Sequence, residues 1–320
     1  MTKKLVSIII PVYNNSMTLD TLVERIKKGL IDKRTEFSFE IIFINDGSKD
    51  NSLEILKELA KSNPQIVILN LSKNYGQQYA ILAGWKNAKG DVAIDFSADL
   101  QDPPEQCLNM LNEWSKGNKI VVSYRQENNT SASRKITSTL FYRLILPNAP
   151  KGGFDFTLLD RQALNELISF KDKNRFYQAD ILSLGFSFSA IPYRKQRRTI
   201  GKSQYTSWGR ISLFIRGYLN VSYAPIKIVS ILGLIVTIIG FLYAITVLIA
   251  YFANGYPFKG WTPIMLVLLI IGGLILTSLG IIGQYIWRIL DEVRGRPNYI
   301  IENIIRAEKT QSDNLDIDQN

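Results

Sequence analysis

Asp99, Gln101 and Asp102 stand together in the stretch SADLQDPPE, directly after the apolar residues Val92, Ala93, Ile94 and Phe96. In open α/β sheets, ligands bind just beyond the carboxyl ends of strands. Hard cations take oxygen donors there and share them with phosphates, so this acidic, amide-bearing turn suits a divalent cation and a diphosphate. Pro103 and Pro104 predict that a helix follows, since a proline in the first turn gives up an N–H that has no partner there anyway. For Asp102 a second reading stands open, that of a helix cap. Asp155, in GGFDFTLLD, is a further candidate, with a turn or cap carboxylate as its alternative. The run RKQRRTIGKSQY from Arg194 to Tyr205 can grip a phosphate through Arg and Lys or attract anionic lipid heads.

Composition narrows the chemistry. The 320 residues include no histidine and one cysteine, Cys107, which excludes Ser-His-Asp triads, His-ligated zinc, internal disulfides and multi-cysteine metal sites. Catalysis must rest on carboxylates, Lys, Arg, Tyr and bound metal. The net charge of +10 fits phosphorylated substrates or an anionic membrane face. Because the basic residues adjoin apolar stretches, nucleic acid is not the expected partner.

The elements that position these residues alternate. Val6–Val12, Phe39–Ile44, Gln65–Leu71 and Asp91–Phe96 read as buried strands, and Met17–Leu30, a helix from Asn51 and Gln77–Ala88 read as the helices between them. Strands alternating with helices imply a mainly parallel sheet with right-handed crossovers. No G-x-G-x-x-G follows the first strand, so Tyr13, Asn45, Asp46 and their neighbours at the strand ends point to nucleoside recognition by side chains. Asn51 with Glu54 predicts a capping box. Ile120–Tyr124 and Phe186–Tyr193 read as later strands, and Ser131–Leu146 as a helix carrying Arg134.

The carboxyl-terminal third differs in kind. Ile228–Phe252 and Pro263–Trp287 each run for about 25 residues without a charge, where about 20 suffice to span a bilayer. Basic residues flank both, whereas the connecting loop carries only Lys259. The positive-inside rule then predicts a hairpin with both ends cytoplasmic. Expected boundaries are a catalytic domain over 1–204, an interfacial segment over 205–225, a transmembrane hairpin over 226–290 and a cytoplasmic tail over 291–320. Glycines such as Gly233, Gly240, Gly272 and Gly280 permit packing against further copies.

PVYNN at Pro11, NDGSKDNS at Asn45, NYGQQYAILAG at Asn74, SADLQDPPE at Ser97, FDFTLLDR at Phe154 and RRTIGKSQYTSW at Arg197 occur in this order ahead of the apolar pair. Together they resemble membrane-anchored family 2 glycosyltransferases of the polyprenyl-phosphate type, such as bactoprenol glucosyltransferases and dolichyl-phosphate mannose synthase. The resemblance implies a GT-A sheet, Rossmann-like and mainly parallel, and inverting transfer from a nucleotide sugar, UDP-glucose for instance, to polyprenyl phosphate at the bacterial inner membrane. It implies that Pro11, Tyr13, Asn15, Asp46 and Ser97 bind the nucleotide and that Asp99 and Gln101 hold Mg2+ or Mn2+. Arg134, Arg198, Lys202 and Ser203 would face the lipid phosphate, with Asp155 near the reacting centre. Asn15 stands where the family has an acid, Ser97 where it has the first aspartate of D-A-D, and Gln204 where it has a lysine. A processive polysaccharide synthase lacks support, as no Q-x-x-R-W occurs. A non-catalytic subunit with a weakened metal site is the other alternative.

Overall fold

The apolar runs form one eight-stranded sheet, seen in a computed structural model that describes residues 3–126, 149–150, 153–172, 175–195, 231–236, 238–242, 245–246, 249, 252 and 262–307. The chain divides into two compact units, Met1–Thr206 with Pro297–Asn320, and Ser207–Arg296.

In the first unit, β1 (Lys4–Val12), β2 (Phe37–Asn45), β3 (Ile66–Leu71) and β4 (Val92–Asp95) are parallel, in spatial order β4-β1-β2-β3. Helices α1 (Leu19–Gly29), α2 (Ser52–Ser62) and α3 (Gln77–Asn87) make the crossovers. The strands are apolar without alternation because both faces are covered. Ile8 and Ile10 pack in a core layer with Leu22, Ile26, Leu56 and Met110, while Ile9, Ile42 and Ile44 pack on the opposite face with Ile81 and Trp85. Helix α3 sits close to the sheet at Gly84, where a Cβ would lie 2.3 Å from Ile9 Cγ2.

Helix α4 (Glu105–Ser115) leads to β5 (Ile120–Arg125), β6 (Phe156–Asp160), α5 (Arg161–Ser169), α6 (Tyr177–Ser183) and β7 (Phe188–Tyr193). Strand β6 runs antiparallel to β4 and β5, and β7 runs parallel to β5. The amino end of β6 therefore meets the carboxyl ends of β4 and β5. Strand β4 stops one residue short of Phe96. The Asp95 carboxylate accepts the Thr157 N–H at 2.8 Å where the next rung of the β4–β6 ladder would begin.

Two local expectations need correction. No side chain caps α2 at Asn51, and Glu54 pairs with Lys57 instead. Asp50 supplies the acceptor for the Ser52 N–H at 3.0 Å. The stretch 291–320, read as a tail, contributes β8 (Ile301–Arg306), which pairs antiparallel with β3 and closes that edge of the sheet. Its sequence, Ile-Glu-Asn-Ile-Ile-Arg, shows no clean alternation and is too short to stand out from a polar terminus.

The second unit contains a 32-residue helix, Thr262–Val293, and a shorter apolar helical segment, Ile231–Leu242. Among the described residues, Ile271–Val293 is the one stretch of helix whose length and composition suit a membrane crossing. The expected helix at 131–146, the interfacial segment at 205–225 and the loop between the two predicted spans lie outside the described residues.

Candidate active site

The turns after β1 and β2 interlock. Asp46 follows β2, and its N–H donates to the Val12 carbonyl at 2.9 Å. Its carboxylate, 3 % exposed, accepts the backbone N–H groups of Tyr75 and Gly76 at 2.7 and 2.9 Å. Burial raises the Asp46 pKa, and those two hydrogen bonds offset it in part. At Gly47, φ is +65° and a Cβ would lie 2.5 Å from the Asn74 nitrogen, so only glycine lets these turns meet. Asn14, also at positive φ, takes the Lys49 N–H at 2.8 Å and donates its own to Ser48 Oγ at 3.1 Å. The Asn15 side chain accepts the Tyr13 N–H at 3.1 Å, and the Asn15 N–H donates to Ser52 Oγ at 2.9 Å. Nearby, burial would raise the Asp50 carboxyl, but hydrogen bonds from Ser52 and Ser16 outweigh it and leave the pKa below its ordinary value. Behind this cradle a buried amide chain runs from Asn45 to Asn70 at 2.7 Å and on to Glu302 of β8 at 2.9 Å.

The acidic turn after β4 is held from two sides. Thr18 donates to the Ala98 carbonyl at 2.8 Å and Arg25 to the Leu100 carbonyl at 3.0 Å, which ties the turn to α1. Leu100 takes φ +59°, a conformation that side chains seldom adopt. Within the turn, Asp99 Oδ1 accepts from Ser97 Oγ at 3.0 Å and from the Gln101 N–H at 3.1 Å. Ser97 thus orients the carboxylate beside it.

Asp102 does not cap α4, whose amino end has no side-chain cap. It is 2 % exposed and faces the Tyr193 hydroxyl at 3.3 Å and Lys195 Nζ at 3.6 Å. Burial pushes its pKa up to about 6; Lys195 opposes this and the charges of Asp99 and Asp155 add to it. The same Tyr193 hydroxyl reaches Asp155 Oδ2 at 2.6 Å. Arg125, the last residue of β5, grips Asp155 with Nε at 3.1 Å and Nη2 at 3.2 Å. The Tyr193 ring stacks on Phe156 with centroids 4.9 Å apart, and Phe156 stacks on Phe96 at 5.5 Å. Burial together with Asp102 and Asp155 raises the phenol pKa far above its ordinary value.

One edge of the sheet thus gathers the Asp46 cradle, an acidic turn and a carboxylate paired with arginine. Residues 7–219, well over half of the chain, match the Glycosyl transferase family 2 description. The chain belongs to that family. The transferase is 35 % identical over 301 residues to the uncharacterized glycosyltransferase YkcC of Bacillus subtilis (strain 168), covering 92 % of this chain and 93 % of the relative. It is 30 % identical over 303 residues to the bactoprenol glucosyl transferase of Shigella phage SfV, covering 93 % and 98 %. Among solved structures it resembles mannosyl-3-phosphoglycerate synthase from Rubrobacter xylanophilus, with a TM-score of 0.49, 17 % identity and coverage of 68 % and 73 %. The transferase has the GT-A fold, a Rossmann-like, mostly parallel sheet flanked by helices.

Pro11, Tyr13, Asn15, Asp46, Ser97, Asp99, Gln101 and Asp155, singled out from the sequence, all lie at or beyond strand ends of this edge. Arg134, Arg198, Lys202 and Ser203 lie outside the described residues. Sequence reasoning missed Tyr193, Arg125 and Lys195. Their signal was position alone: Tyr193 and Arg125 end strands that read as ordinary, and Lys195 sat inside a basic run. No group of three or more acidic, His or Cys side chains able to hold a metal occurs among the described residues. The oxygen donors of Asp99 and Gln101 still fit a cation of the Mg2+ or Mn2+ kind, which is bound by one or two carboxylates with phosphates completing its shell.

Proposed function

We propose that the transferase moves a sugar from a nucleotide diphospho-sugar, with UDP-glucose the first choice, to polyprenyl (undecaprenyl) phosphate at the cytoplasmic face of a bacterial inner membrane. The observation that carries this reading is the convergence of the Asp46 cradle, the Asp99 turn and Asp155 at one sheet edge. Full-length similarity to bactoprenol glucosyl transferases supports the acceptor class.

The lipid phosphate is already anionic near neutral pH, so its oxygen attacks the anomeric carbon without strong base help. The bond from that carbon to the nucleoside diphosphate breaks on the opposite side, and the configuration inverts. The barrier lies in bringing two anionic groups together and in the charge that the leaving diphosphate gathers. Asp99 and Gln101 would hold Mg2+ or Mn2+, which when bound offsets that charge. Pro11, Tyr13, Asn15, Asp46 and Ser97 hold the nucleotide, and each Asp46 oxygen keeps a second lone pair beyond its backbone bond. Arg134, Arg198, Lys202 and Ser203 face the acceptor phosphate, and Asp155 lies beside the reacting carbon.

Chain path supports a membrane hairpin. The chain leaves the sheet after β7 and rejoins it as β8, so an intervening unit that enters a bilayer has to cross it an even number of times. The helix Thr262–Val293 accounts for one crossing and the apolar run 228–252 for the other. Self-association through the glycines of this unit belongs to the same reading.

The test is transfer by the detergent-purified full chain from a panel of nucleotide sugars to undecaprenyl phosphate, with Mg2+, Mn2+ or chelator. We expect one donor to give a lipid-extractable product that needs the cation and is abolished by Asp99→Ala. Arg198→Ala is expected to raise the acceptor KM while leaving the donor KM unchanged. Full turnover by Asp99→Ala would remove the cation assignment, and no product from any donor would remove the function.

A further inference from the structure

Tyr193 stands where three parts of the edge meet. Its ring is fixed in a stack of three aromatics drawn from β7, β6 and the end of β4. Its hydroxyl has one hydrogen, and the 2.6 Å contact gives that hydrogen to Asp155 Oδ2. The same oxygen lies 3.3 Å from Asp102, which belongs to the turn that carries Asp99 and Gln101. Lys195, two residues along the chain, reaches Asp102 as well. The residues that follow are the basic run 196–205. Tyr193 therefore binds the carboxylate beside the reacting carbon while standing next to the donor turn, two residues before Lys195.

A purely structural account covers only part of this. A phenylalanine would keep the ring stack, and the half-buried Asp155 already has the Arg125 fork. A hydroxyl at that spot in a stacked strand end adds one thing the fork does not, a fixed direction for Oδ2. Arg125 approaches both Asp155 oxygens with its side chain 45 % exposed, whereas Tyr193 reaches Oδ2 from a ring fixed in the stack. A carboxylate whose orientation drifts loses rate out of proportion to the distance moved.

We propose that Tyr193 is a positioning residue for glycosyl transfer: its hydroxyl sets the orientation of Asp155. This deepens the function proposed above and rests on it. Tyr193 acts through Asp155 and does not touch the substrates itself.

The experiment is a double-mutant cycle on the full chain, with Tyr193→Phe, Asp155→Asn and the pair, measured as kcat and both KM values with UDP-glucose and undecaprenyl phosphate. Tyr193→Phe is expected to lower kcat roughly tenfold to a hundredfold through misplacement of Asp155, with the donor KM unchanged and the melting temperature lowered by only a few degrees for the lost hydrogen bond. Added to Asp155→Asn, it is expected to change nothing further, since its effect passes through that carboxylate. A Tyr193→Phe enzyme with wild-type kcat overturns the proposal, as does a full additional loss in the pair. A wild-type chain that forms no lipid-linked sugar overturns the function and this assignment with it. Normal wild-type turnover with an unaffected Tyr193→Phe overturns this assignment alone.

Discussion

Replacing Asp95 by asparagine should make this protein more stable at neutral pH. Asp95 ends β4, is 3 % exposed, and gives one oxygen to the Thr157 N–H at 2.8 Å. Burial pushes its pKa from 3.8 up to about 8, against the pull of that hydrogen bond. The folded state therefore holds a proton that the unfolded chain releases. The stability tied to that proton is fully present below about pH 4 and drains away as pH rises through about 8. Every tenfold change in proton affinity is worth about 1.4 kcal/mol, so the buried carboxyl costs roughly 4 kcal/mol at pH 7 and, as an upper bound, about 6 above pH 8. Asparagine keeps the oxygen for Thr157 and cannot ionise. Thermal unfolding of the detergent-solubilised full chain, followed by tryptophan fluorescence, checks this. We expect Asp95→Asn to melt within about 2 °C of the wild type near pH 4 and roughly 10 °C above it near pH 8. A difference independent of pH, or an asparagine variant that melts lower throughout, would refute the reasoning.

Two further outcomes test the donor cradle. Glu302→Ala removes the acceptor at the end of the Asn45–Asn70 chain; with about 1 kcal/mol lost from the support of Asp46, the donor KM should rise roughly fivefold while kcat holds, as steady-state kinetics will show. Gly47→Ala places a methyl 2.5 Å from the Asn74 nitrogen at φ +65°, so strain and overpacking of roughly 2–4 kcal/mol should lower the melting temperature and abolish nucleotide binding in calorimetry.

The parallel half of the sheet was legible because its strands are apolar on both faces and run into polar turns such as Asn45-Asp46-Gly47. Burial on two sides leaves an unbroken run that little else produces. The Asp99 turn was equally plain, since its residues adjoin one another. Asp102 was ambiguous in sequence because a cap and a buried site carboxylate look alike ahead of prolines. Only the pairing of β7 with β5 turns it into a partner of Tyr193. That contact spans 91 positions, and no local pattern encodes it. Strand β8 was missed for a related reason: its pairing with β3 links segments on either side of the apolar unit, and an edge strand needs only weak alternation.

That last strand bears on the order in which the molecule is made. A ribosome releases Ile301–Arg306 only after every apolar residue of the second unit has emerged. Until then β3 presents a bare ladder of N–H and C=O groups, the kind of edge that invites mispairing. The nascent sheet thus waits for the whole greasy segment to be made before its final stave slots in, and Glu302 reaches Asn70 only at that moment. A chain stalled before that point leaves the Asp46 cradle without its back support.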